Sequence, residues 1–251
     1  MTRVRFAVIA ALLASVAAPV AMKATASPVV VMPSQQVVIA HVDTGINPYA
    51  EVFRDDSLLA QQYPGTYIAG YPAGAERLDL HLHEADWQTA FNLDKPIWDQ
   101  LLADWNANPT NFSKRVFWIP GTKIVASRRQ TTGGSFCPPA DKVQPAPNLV
   151  NQCTDYPLLD DHGHGTMTSN RMGGNAGSLC PDCRIVSVEG LGAASVDWIA
   201  KQGWIDVQTN SWAALTPQAT DRVQHGVGTG PFVFEKSARS MLVYFATGNG
   251  A

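Results

Sequence analysis

The chain lacks an excess of charge of either sign. Its 18 Lys and Arg stand against 21 Asp and Glu, for a net charge of −3. That balance argues against a nucleic-acid surface, and no acidic run marks a disordered tail. Beyond the first twenty residues it also lacks any apolar run long enough to cross a bilayer, which argues against a polytopic membrane protein. There is no internal repeat. Charged residues make up only 16% of the chain and hydrophobic ones 45%, so its 251 residues can bury a sizeable core as one large domain or two small ones. The 20 Gly and 17 Pro make it rich in turns without making it low in complexity.

Residues 1–26 read as a secretory signal. Arg3 and Arg5 precede an apolar run from Phe6 to Val20, and Ala24-Thr25-Ala26 supplies small residues before a cleavage point at Ser27. The run is short for a membrane anchor, and no Cys follows it to carry a lipid. The expectation is a secreted protein, extracellular or periplasmic, with no membrane association after cleavage. Cysteine is scarce, with four in all: Cys137, Cys153, Cys180 and Cys183. In an oxidising compartment they read as two disulfides, and three connectivities are open. The local one pairs Cys137 with Cys153 and Cys180 with Cys183. A four-Cys zinc site would want two close pairs, and only Cys180-Pro-Asp-Cys183 is close. A redox role for that pair requires a thioredoxin-like context.

The hydrophobic pattern predicts a buried strand over 37–42, ending in the turn Asp43-Thr44-Gly45. Leu78, Leu80 and Leu82 alternate with polar residues and predict a short strand. Asp94 is placed to cap a helix over 96–105, with Ile97, Trp98, Leu101, Leu102 and Trp105 at helical spacing and Trp98 and Trp105 in the core. A strand is predicted over 122–126 and a long loop over 128–160. From there strands and helices alternate. The helices cover 164–172, stopped by Gly173-Gly174, a stretch from Ser195 to about Gly203, and 232–239. The strands cover 184–188, 205–209 and 241–246. That alternation predicts an α/β fold, a mostly parallel sheet with helices on both faces and its chemistry at the carboxyl ends of the strands. Asp43, Ser211 and Asn249 fall at such ends.

The most informative segment is Asp160-Asp161-His162-Gly163-His164-Gly165-Thr166, a His between glycines at the start of a helix. With it come Ile39-Ala40-His41-Val42-Asp43-Thr44-Gly45-Ile46, Asp206-Val207-Gln208-Thr209-Asn210-Ser211-Trp212 and Val243-Tyr244-Phe245-Ala246-Thr247-Gly248-Asn249. Taken in order, these four blocks resemble the subtilisin-like serine proteases, the subtilases, over most of the chain after residue 37. The resemblance implies a subtilisin-like fold and hydrolysis of peptide bonds in a protein or peptide substrate. His164 would be the general base, Asp43 the carboxylate that fixes its tautomer, and Asn249 a donor to the oxyanion. Ser211, Trp212 and Ala213 would line the substrate cleft, where an extended peptide could add to a strand edge.

Other readings of the same residues exist. Asp43-Thr44-Gly45 also fits an aspartic protease, but no second such carboxylate stands in a related context. His162 and His164 could ligate a metal with Asp160 or Asp161, and His81, His83 and Glu84 could do so from one strand face; a secreted metal-binding protein is the third class considered.

The third member of the triad has no counterpart. Subtilases carry their nucleophile in a Gly-Thr-Ser-Met-Ala type block after the oxyanion Asn, and no Gly-Thr-Ser occurs in these 251 residues. The expectation is a signal peptide (1–26) followed by an incomplete catalytic domain (27–251). Its C-terminal part is missing, and the chain alone is inactive. The alternative is a non-catalytic subtilase-like remnant that binds a peptide or a partner. Met167, Thr168 and Ser169 depart from the family, as does Ala213 in place of Gly. The long stretch from Asp43 to His164 predicts an insertion around 55–130, and the short segment before the first strand leaves no room for an inhibitory propeptide. No cofactor is required; calcium is common in the family, with ligands unassigned here.

Overall fold

The computed structural model describes residues 36–131, 156–160, 162–211 and 242–245. Seven strands form one sheet: β1 (Val38–Asp43), β2 (Glu76–Arg77), β3 (Phe117–Trp118), β4 (Ile124–Arg129), β5 (Arg184–Glu189), β6 (Val207–Asn210) and β7 (Leu242–Phe245). Their order across the sheet is β2-β3-β4-β5-β1-β6-β7, and only the β3–β4 pairing is antiparallel. Among the described residues four α-helices accompany it: α1 (Trp87–Ala107), α2 (Pro109–Phe112), α3 (His164–Gly173) and α4 (Ala193–Ala200). The architecture is α/β, as the alternating pattern predicts.

Strand β1 lies between β5 and β6 and is buried along its whole length. A strand covered on both faces must be apolar on both, which is why residues 37–42 read as a continuous apolar run. Side chains alternate between faces. Val38, Ala40 and Val42 join Val186, Val188, Val196 and Ile199 in a core beneath α4. On the opposite face Ile124 and Ile185 pack with Trp98, Leu101 and Phe117 beneath α1, and Gly173 of α3 lies against Ile185. Helices therefore cover both faces. The chain leaves β1 towards β2, β3 and β4 on one side and leaves β6 towards β7 on the other, so the carboxyl ends of β1 and β6 lie at a switch in strand order, where α/β sheets place ligands.

Several elements differ from expectation. Helix α1 starts nine residues before Pro96, at Trp87. Its cap is Asp86, which accepts the Thr89 N–H at 2.8 Å, whereas Asp94 lies inside the helix and is fully buried. Asp94 shares the inward stripe of Ala90, Trp98 and Leu101. Its carboxylate accepts from Tyr49 Oη (2.9 Å), the His81 N–H (2.8 Å) and His81 Nδ1 (2.6 Å). That takes the His81 amide out of any strand ladder. β2 stops at Arg77; Leu78, whose N–H bonds Trp118 O, and Leu82, in the turn that follows, are both buried. Trp98 is core, and its Nε1 donates to Tyr49 Oη at 2.7 Å; Trp105 is half-buried, with Arg129 stacked on its ring.

Thr122 belongs to the turn before β4, donating to Ile119 O and accepting from the Ile124 N–H, so the strand runs on to Arg129. Ser195 does not cap α4. Gly192 stands at that position, and the Ser195 hydroxyl turns back to Gly190 O. α3, β5, β6 and β7 fall within a residue or two of their expected bounds. The expected helix over 232–239 and most of the loop over 128–160 lie outside the described residues. Residues 55–130 contribute α1, α2, β2, β3 and β4, and β4 pairs with β5 in the body of the sheet.

Candidate active site

Asp43 is the last residue of β1, and His164 is the first residue of α3. His164 Nδ1 and Asp43 Oδ1 are 2.7 Å apart. Two glycines permit that approach. Gly45 takes φ +115°, and a Cβ there would press on the Leu159 carbonyl. A Cβ on Gly165 would overlap Gly45 O, so the first turn of α3 lies backbone against backbone on the turn that follows β1.

Asp160 locks the two turns together. Its Oδ1 accepts from Thr44 Oγ1 (2.7 Å) and the Gly163 N–H (2.8 Å), and its Oδ2 accepts from the Thr166 N–H (2.6 Å). A carboxylate among the unpaired amides of a helix start is stabilising, and it caps α3 where its own N-cap residue, Gly163, has no side chain. Thr44 Oγ1 also accepts the Gly165 N–H at 3.0 Å, and Thr166 Oγ1 accepts the Asn47 N–H at 2.9 Å. The Asp43 turn and the His164 turn form one hydrogen-bonded unit.

Asp43 is almost fully buried, at 2% exposure. Burial pushes its carboxyl up. Hydrogen bonding and charge from His41, the hydrogen bond from His164 and the Thr44 N–H outweigh that and hold it at about 2. It is therefore ionised at neutral pH and can only accept, so the nitrogen facing each of its oxygens carries the hydrogen. For His164 that puts the hydrogen on Nδ1. In the neutral ring Nε2 is then left with a lone pair, and the side chain is 35% exposed. A half-exposed imidazole held in that tautomer can take a proton from a neighbouring group and return it.

Sequence reasoning missed His41 and Thr168. His41 is fully buried and shares Asp43's face of β1, two residues away. Its Nε2 lies 2.9 Å from Asp43 Oδ2 and 2.5 Å from Thr168 Oγ1, and its Nδ1 lies 2.9 Å from Thr209 Oγ1 on β6. Thr168 stands one helical turn after His164. The signal was present in the i, i+2 spacing on a strand and the i, i+4 spacing on a helix, both of which put residues on one face.

Ser211 directly follows β6 and is half-buried. Trp212, Ala213 and Asn249 lie outside the described residues, as do Cys137 and Cys153. Cys180 and Cys183 form a disulfide, with Cα atoms 5.4 Å apart. His162 sets its ring edge-on to His164, with centroids 6.3 Å apart, and Asp160 serves the helix start. His81 pairs with Asp94, which raises its pKa, and His83 lies 3.8 Å from Asp56. Among the described residues no group of three or more His, Cys, Asp or Glu is placed to hold a metal ion, and no helix is long and apolar enough to cross a membrane.

Comparison of the chain with protein-family models, with curated proteins and with solved structures finds no match.

Proposed function

We propose that the chain carries the aspartate and histidine of a subtilisin-like serine endopeptidase. The observation behind this reading is the 2.7 Å contact between Asp43 Oδ1 and His164 Nδ1 at the carboxyl end of the buried parallel strand β1. That geometry suits a general base whose tautomer is fixed by a buried, ionised carboxylate. The order of the four sequence blocks along the chain supports it as well.

In this reading His164 Nε2 takes the proton of a serine hydroxyl as the hydroxyl attacks a peptide carbonyl, and returns it to the leaving amine. Asp43 stabilises the imidazolium between the two steps and does not itself become protonated. Asn249 donates to the oxyanion, and Ser211, Trp212 and Ala213 line the path of an extended peptide. Secretion is part of the proposal, supported by the pattern of residues 1–26 and by the Cys180–Cys183 disulfide.

The reading requires a nucleophile that no Gly-Thr-Ser block within the 251 residues supplies. Sequencing the gene downstream of codon 251 tests it. The expected result is an open frame that continues into a Gly-Thr-Ser-Met-Ala type block. A stop codon at that point, or a continuation without the block, would move the protein to a peptide- or partner-binding role on the same scaffold.

A further inference from the structure

The second oxygen of Asp43 is held as well as the first. His164 faces Oδ1 from α3, and His41 faces Oδ2 at 2.9 Å from within β1 itself. Because the carboxylate only accepts, His41 Nε2 carries a hydrogen, which it shares between Oδ2 and Thr168 Oγ1. The Thr168 hydroxyl is anchored in turn, within reach of His164 O (2.8 Å) and Gly165 O (3.1 Å) on the first turn of α3, and lies farther, at 3.3 Å, from Asp43 Oδ2, where His41 Nε2 is the nearer donor. On the far side of the ring, Nδ1 meets Thr209 Oγ1 on β6. The chain Thr209–His41–Asp43–His164 thus ties two neighbouring strands to the helix that presents the base.

We propose that His41 is a positioning residue: by holding Asp43 Oδ2 it keeps Oδ1 aimed at His164 Nδ1. Two features argue against mere core filling. An imidazole at 0% exposure between the apolar Ala40 and Val42 costs desolvation that a Val or Ile would not, and both its ring nitrogens are matched. A carboxylate with one oxygen unheld can also rotate about its own bond, which loosens the contact to His164 that the other oxygen makes. Clamping both oxygens removes that freedom, and small losses of alignment in such a pair are costly to catalysis.

The catalytic consequence rests on the triad reading, but the positioning itself is measurable on the chain without any nucleophile. The experiment is nuclear magnetic resonance on the 251-residue chain with labelled histidines and aspartates. In the wild type, hydrogen-bonded N–H resonances are expected on both His164 Nδ1 and His41 Nε2, with the Asp43 carboxyl carbon titrating near 2. In His41→Leu, the Asp43 midpoint should rise by about one unit, and the His164 Nδ1–H should exchange with water about tenfold faster or more as its acceptor loosens. His41→Gln, which keeps an N–H near the Nε2 position, should restore both.

A folded His41→Leu protein with Asp43 and the His164 resonance unmoved would overturn the proposal and leave His41 a packing residue. If His41→Leu does not fold, the wild-type spectrum decides, since a His41 whose Nε2 bears no hydrogen cannot hold the carboxylate. Neither result depends on whether a serine nucleophile exists, so this proposal and the protease reading fail separately.

Discussion

Asp43 ties part of the fold's stability to pH. Its folded pKa of about 2 lies below the ordinary 3.8, so its contribution is fully present above pH 4 and disappears as pH falls towards 2. The size is about 2 kcal/mol by linkage. Urea unfolding of wild type and Asp43→Asn at pH 5, 3 and 2 should show the two stabilities converging by that amount at low pH; parallel curves would contradict it. Gly165→Ala should be more damaging than its size implies. The new methyl meets the Gly45 carbonyl, a backbone atom that cannot swing aside, so about 2 kcal/mol or more is expected in thermal or urea unfolding. The His164 Nδ1–H resonance should weaken with it. At this scale Asp43 and His164 were legible because each stands beside glycines that mark close backbone approach. His41 was not, because a histidine inside an apolar strand reads as one more alternating residue until the neighbouring helix is in place.

Helix α3 and helix α1 differ in how plainly their ends were written. α3 begins after Gly163 and ends at Gly173-Gly174, and both signals sit at the ends themselves. What the sequence did not show was that its cap comes from Asp160, three residues ahead of the usual position, by way of a turn. Asp160→Ala should cost about 1–2 kcal/mol in unfolding free energy, near the upper end for a lost cap because Thr44 loses its acceptor too. An unchanged stability would show that water replaces the carboxylate at no cost. In α1 the Asp-Lys-Pro sequence at 94–96 mimics a helix start, and the true start at Asp86 carries the weaker pattern. Burial of Asp94 against Tyr49 and His81 decided the matter, and those partners are remote in sequence. Trp98, which fills the space beneath this helix and bonds Tyr49, should be the costliest truncation there. Trp98→Ala is expected to lose about 3–5 kcal/mol, checked by chemical denaturation.

For the molecule as a whole, the α/β class and the carboxyl-end position of the site followed from a period that switches between strand and helix. Strand order did not follow from that period. β4 joins β5 across α3, and β5 and β6 flank β1, through pairings that no local signal specifies. Residues 55–130 illustrate the point, because a stretch that reads as an insertion supplies β2, β3 and β4. The Cys180–Cys183 disulfide closes only a short loop between α3 and β5, so the double Cys→Ser variant should lose about 2 kcal/mol at most in unfolding free energy.

In the proposed protease reading, Asp43 and His164 activate a serine. The most direct measurement is labelling of the product of the complete reading frame with a fluorophosphonate probe, alongside its His164→Ala variant. Covalent labelling of one serine is expected in the parent, with a loss of about a thousandfold or more in labelling rate in the variant. No labelling of the parent, or equal labelling of both, would contradict it.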